Sequence, residues 1–120
     1  MTESTIYQNV KLDYLELMSD GDADMKKTML EMLLIELPEE FSKMRTLTDD
    51  QNWEELSMVS HKMKSTLAFV GNDEMTNTNK ALEKKSKYED DTYEISDLMS
   101  ILEKNLEGVL SDLRQEFDRI

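Results

Sequence analysis

The stretch Asn52-Trp53-Glu54-Glu55-Leu56-Ser57-Met58-Val59-Ser60-His61-Lys62-Met63-Lys64-Ser65-Thr66-Leu67-Ala68-Phe69-Val70-Gly71 combines a clear helical pattern with the only histidine of the chain. At about 100° per residue, with Met63 set at zero, Leu56, Val59, Leu67 and Val70 fall within roughly 40° of it. That is one apolar stripe on one side of a helix. Asn52 is a good N-cap, and Glu55 stands where a capping-box acid would. Gly71 is placed to end the helix as a left-handed cap residue. His61 falls roughly 160° from the centre of the stripe, so it is expected to face water. Ser57, Ser65 and Ala68 share its face, and Lys64 lies at the edge.

The same periodicity extends outward in both directions. Residues 1–8 are polar and expected to be loose. A short amphipathic helix follows, with Val10, Leu12, Leu15 and Met18 apolar, and Ser19-Asp20-Gly21-Asp22 breaks it. A long helix is predicted from about Ala23 to Thr46, where Met25, Met29, Leu33, Leu37, Phe41 and Met44 recur every three or four residues. Pro38 removes one backbone donor from this run and predicts a kink rather than a break, because the periodicity continues past it. After the His61 helix, a further helix near Asp73 to Lys85 carries a thin apolar face of Met75, Ala81 and Leu82. Asp91 and Glu94 form a capping-type pair before a last helix whose stripe is Ile95, Leu98, Leu102, Leu106, Val109, Leu113, Phe117 and Ile120. The fold class is therefore all-α: a single domain over residues 1–120, built as an antiparallel four-helix bundle of about residues 22–120 with an additional short N-terminal helix.

Composition agrees. The 120 residues suffice for one core. One Pro and three Gly suit long helices better than a turn-rich β fold. The net charge of -13 disfavours nucleic acid and anionic membrane surfaces as partners. Cys is absent, which removes disulfides, thiolate metal sites and a thiol nucleophile. The first residues lack a signal-peptide pattern, and no apolar run approaches a membrane span, so a cytoplasmic location is expected. The start at Met1 hints at a free-standing protein.

An exposed imidazole is a good nucleophile near neutral pH. Ser65 and Ala68 are small and leave its approach open. Lys64, one turn on, is within reach of a phosphoryl oxygen and can offset arriving negative charge. The alternative is that a lone histidine on a helix is an ordinary surface residue.

The local string decides between these. His61-Lys62-Met63-Lys64-Ser65-Thr66-Leu67-Ala68-Phe69-Val70-Gly71 resembles the signature of histidine-containing phosphotransfer (HPt) domains, roughly His-x-Leu-Lys-Gly-Ser-Ser-x-x-Leu-Gly. Asn52-Trp53-Glu54-Glu55-Leu56 is similar to the family's Asp-Trp-x-x-Leu opening of this helix, Ala81-Leu82-Glu83 to the Leu-Glu that closes the next, and Glu36-Leu37-Pro38 to a segment of the preceding long helix. Ser65 departs from the family's usual Gly, and Thr66 and Leu67 replace two small residues. The resemblance implies that His61 accepts a phosphoryl group, through Nε2, from the aspartyl phosphate of one response-regulator or hybrid-kinase receiver domain and donates it to another. It implies Lys64 as the charge-stabilising residue and Ser65 as the small neighbour that keeps the ring accessible. It also implies no ATP-dependent kinase activity in the chain and no cofactor bound by it, with Mg²⁺ supplied by the receiver. A monomer is compatible with this role.

Receivers dock on this family through an apolar patch beside the histidine. Met58 and Phe69 lie roughly 120–140° from the core centre, on the side away from Lys64. With Ala68 and Lys62 they are the candidate docking residues. Packing of Met58 and Phe69 against the short N-terminal helix is the equal alternative. Three other functions compete with this one. A helical adaptor that binds receivers without phosphotransfer would use the same fold, but His61 and Lys64 are intact. Asp20, Asp22, Asp24 and Glu31 mimic calcium-loop positions, but Met25 stands where that loop needs Gly, and no metal site is expected. Carboxylate-pair hydrolysis lacks an apolar pocket, and the ten Met suit core filling.

Overall fold

The computed structural model describes residues 6–120. Its elements are α1 (Asp13–Ser19), α2 (Ala23–Asp49), α3 (Trp53–Val70), α4 (Asp73–Tyr88), a 3-10 turn at Thr92–Glu94, and α5 (Ile95–Arg119). Among the described residues there is no strand, and no helix is long and apolar enough to cross a membrane. Short connections join α2 to α3 and α3 to α4, which forces these neighbours antiparallel. α2 packs on α3 and α5, and α4 packs on α3 and α5, closing an up-and-down four-helix bundle. α1 lies across one end against α2 and α3.

Each boundary has a local cause. Asp20 and Gly21 turn the chain through the left-handed region after α1, with φ of 48° and 78°. The Asp22 carboxylate then accepts the Met25 N–H at 3.0 Å and caps α2, a local use for one of the aspartates of the calcium-loop pattern. Asn52 caps α3 through the Glu55 N–H, and Asn72 caps α4 through the Met75 N–H. Gly71 ends α3 at φ 68°, where a Cβ would sit 2.1 Å from the Lys11 carbonyl oxygen. Glycine is required there twice over, by backbone conformation and by close approach. α2 runs unbroken through Pro38.

The core is one cluster drawn from every helix. Leu30, Leu33, Leu37, Phe41, Met44 and Leu47 of α2 meet Leu56, Val59, Met63, Leu67 and Val70 of α3, with Met75 and Leu82 of α4 and Ile95, Met99, Leu102, Val109 and Leu113 of α5. Several sequence expectations change, among them Ile120, which is exposed and not part of the α5 stripe. Met25 is exposed, because steps of four residues drift about 40° each and carry it about 120° from Leu37; Leu30 takes the core position. In the N-terminal segment Val10 and Leu12 are buried before the helix starts, and Met18 faces out. Asp91 and Glu94 do not cap α5. Both pair with Lys85 instead, at 3.8 and 2.7 Å, and a 3-10 turn leads into the helix.

The segment before α1 is tied down by polar contacts. Of the stretch expected to be loose, residues 1–5 lie outside the described residues, whereas Tyr7 is held: its hydroxyl donates to Glu116 Oε1 at 2.7 Å. The Asn9 N–H donates to Asp112 Oδ2 at 2.9 Å, and the Lys11 N–H to the Val70 carbonyl at 3.0 Å. The Glu116 side chain is 2% exposed and is also paired with Lys26 and Arg119. Desolvation pushes its carboxyl up, but the hydrogen bonds from Arg119, Lys26 and Tyr7 outweigh that and hold it at about 2. Burial and the adjacent Glu116 carboxylate push the Tyr7 phenol up to about 12.

Candidate functional site

The stripe of α3 faces the core, and this places His61 on the solvent side with its side chain 68% exposed. Ser65 and Ala68, one and two turns along, are exposed and small, so neither of them stands over the ring. Lys64 projects from the edge of the same face.

The ring is held in place by a residue on the neighbouring helix. Glu83 of α4 is largely buried, 14% exposed, and its two carboxylate oxygens serve two partners: Oε2 lies 2.8 Å from His61 Nδ1, and Oε1 lies 2.8 Å from Lys64 Nζ. Desolvation raises the Glu83 carboxyl, but the hydrogen bonds from Lys64 and His61 together outweigh it and keep the group below the usual carboxylate range. An ionised carboxylate can only accept, so Nδ1 carries the proton. In that tautomer the ring's lone pair is on Nε2, and the side chain as a whole is exposed. One carboxylate thus fixes the tautomer of the ring and the position of the cation beside it.

A second contact fixes the register of α3 on α4 one residue away. Ser60 Oγ donates to Asn79 Oδ1 at 2.7 Å, and Asn79 Nδ2 donates to the Ser60 carbonyl at 3.0 Å, with both residues buried. Among buried side-chain polar atoms of the described residues, none lacks a partner. Thr76-Asn77-Thr78-Asn79 has low helix propensity, yet Asn79 is there to make this pair.

The expected docking residues divide. Met58 is 58% exposed and Lys62 is also exposed, on the flank away from Lys64. Phe69 is half-buried, its ring tilted 35° against that of Tyr14 of α1 with centroids 5.1 Å apart, and it packs against the core. Around this edge, Tyr14, Leu17 and Met18 of α1 remain exposed.

Sequence reasoning missed Glu83 as a site residue. It stands 22 positions from His61, and no local spacing connects them; within Ala81-Leu82-Glu83 the sequence marks only a helix end. It also missed Ser60 and Asn79, which look like ordinary polar surface residues. Among the described residues no group of three or more His, Asp and Glu is arranged to hold a metal ion.

No curated protein matches this chain. The family model described as Hpt domain matches residues 28–119, a span that runs from the second turn of α2 to the end of α5 and includes His61, Lys64 and Glu83. With most of its length matched and a helical bundle as its fold, the chain belongs to the Hpt domain family.

Proposed function

We propose that this chain is a phosphocarrier whose His61 takes a phosphoryl group from the aspartyl phosphate of one receiver domain and passes it to another. Hpt domains serve histidine phosphotransfer in phosphorelays, interact with receiver domains and carry no kinase activity of their own. The observation that supports this assignment of the acceptor is the exposed ring with Nδ1 held by Glu83 and the lone pair on Nε2.

The chemistry balances without a proton transfer. Nε2 attacks phosphorus with its lone pair, the bond from phosphorus to the aspartyl oxygen breaks, and the carboxylate leaves. The ring retains its Nδ1 proton and becomes cationic as the P–N bond forms. Glu83 sits against that developing charge, and Lys64 stands within reach of the phosphoryl oxygens, which is where electrostatic stabilisation is most effective. In this reading Mg²⁺ belongs to the receiver, which with its docked partner supplies the alignment. Ser65 and Ala68 leave room for the receiver, and Met58, with Lys62 beside it, forms part of the surface it rests on.

The test is a two-step transfer. A phosphorylated receiver is mixed with the chain, the receiver is removed, and a second receiver is added. Label that appears on the chain and then on the second receiver supports the carrier. A receiver that binds without any label reaching the chain would establish the non-catalytic adaptor instead.

A further inference from the structure

His61 divides its surface into two unlike flanks. At about 100° per residue, Met58 lies about 60° to one side of it and Lys64 about 60° to the other. Beyond Lys64, α4 presents Lys80, Lys84 and Lys87 at helical spacing, and these line an open cleft of about 370 Å³ together with Lys64, Glu83 and Tyr88. None of Lys80, Lys84 and Lys87 is ion-paired with a carboxylate of the described residues. The one carboxylate in the cleft, Glu83, is already engaged by His61 and Lys64.

This cationic row is out of character with a chain of net charge -13. Like charges three and four residues apart destabilise a helix. The helix dipole favours Lys85 and Lys87 in the last turn of α4, but it gives no reason for Lys80 in the middle. An acidic surface approaching this protein is repelled over most of it and attracted here, beside the nucleophile.

We infer that Lys80, Lys84 and Lys87 form an electrostatic guide that captures the acidic rim around a receiver's phosphoaspartate and orients it over His61, while the Met58 flank supplies apolar contact. This rests on the phosphocarrier reading and adds to it the sign and position of the surface that selects partners. A phosphorylated receiver brings a doubly charged phosphoryl group and carboxylates together, which matches a row of cations and not a single one. Such rim charges act on encounter more than on the bound complex, so their removal should slow association and leave the chemical step alone.

The test compares Lys80→Gln/Lys84→Gln/Lys87→Gln with Lys27→Gln/Lys43→Gln/Lys104→Gln, which changes net charge equally but on α2 and α5. Rapid mixing with a phosphorylated receiver at about 0.02 M and about 0.5 M NaCl gives the second-order rate and the rate at saturation; the screening length falls several-fold between these salts. The expected result is a second-order rate about tenfold lower for the α4 variant at low salt, within about twofold of wild type at high salt, and unchanged at saturation. The α2/α5 variant should stay within about twofold of wild type throughout. Equal slowing of both variants, or an α4 variant that keeps the wild-type salt dependence, overturns the guide. If the wild-type chain accepts no phosphoryl group, the phosphocarrier reading fails, and salt-dependent binding of the same receiver to His61→Gln still reads the guide: a salt dependence that the α4 substitutions leave intact rejects it too.

Discussion

Replacing Glu83 by glutamine keeps the shape of the side chain and removes what the site needs from it. The carboxylate accepts from two donors at 2.8 Å each, His61 Nδ1 and Lys64 Nζ. An amide has one acceptor end and one donor end. If its oxygen stays on Nδ1, its NH₂ group faces the Lys64 ammonium and the lysine must leave. If it turns over, it donates to Nδ1, the ring proton moves to Nε2, and the nucleophilic lone pair is lost. Either way one charge-assisted hydrogen bond goes, worth about 1.5–3 kcal/mol where donor and acceptor are desolvated. His61 and Lys64 are both substantially exposed, so the lower end applies. Glu83→Gln is therefore expected to slow phosphoryl acceptance about tenfold at saturating receiver, since about 1.4 kcal/mol in a barrier is one decade in rate. Chemical-quench single turnovers measure the rate, and ¹⁵N shifts of the imidazole report the tautomer. A variant that transfers within twofold of wild type, or a wild-type ring carrying its proton on Nε2, would rule out this role for Glu83.

Other consequences are equally open to measurement. Gly71→Ala should lose about 2–4 kcal/mol in urea unfolding, from the left-handed backbone and the collision with the Lys11 carbonyl; a loss under 1 kcal/mol would mean that the segment before α1 yields easily. Met58→Glu should slow transfer with little change in unfolding midpoint, whereas Phe69→Glu should lower the midpoint because Phe69 packs against Tyr14 and the core; equal stability losses would move Met58 into the core. Glu116 is depressed to about 2, so its contribution is present above the ordinary carboxylate range and is lost as pH falls from about 5 toward 2. It amounts to about 3 kcal/mol, shared with Lys26, Arg119 and Tyr7. Tyr7 has the opposite sign: raised to about 12, it stabilises below about pH 10 and ceases to as pH climbs past 12. Unfolding free energies of Glu116→Gln should fall less than wild type between pH 7 and 3, and parallel curves would remove Glu116 from this role.

Much of this was legible in the sequence because it depends on local pattern. The α3 stripe fixes where His61 points, and Asn52 and Gly71 bound that helix, all within twenty residues. What depends on pairing between helices was not legible. Glu83 becomes part of the site only when α4 lies antiparallel on α3, and Asn79 becomes a buried clamp only in the same register. Glu116 falls on the inward face of α5, where an acid makes sense only once Tyr7, Lys26 and Arg119 meet it. Met25 shows the converse error: a repeat of four was followed one turn past the point where helical drift takes it off the core.

Where the phosphate resides decides whether His61 is the acceptor. A phosphorylated receiver is predicted to label the wild-type chain with one acid-labile, base-stable phosphate that maps to His61, and His61→Gln should carry none while retaining its helical content. A label that survives in His61→Gln, or one stable to acid, would place the phosphate on another residue.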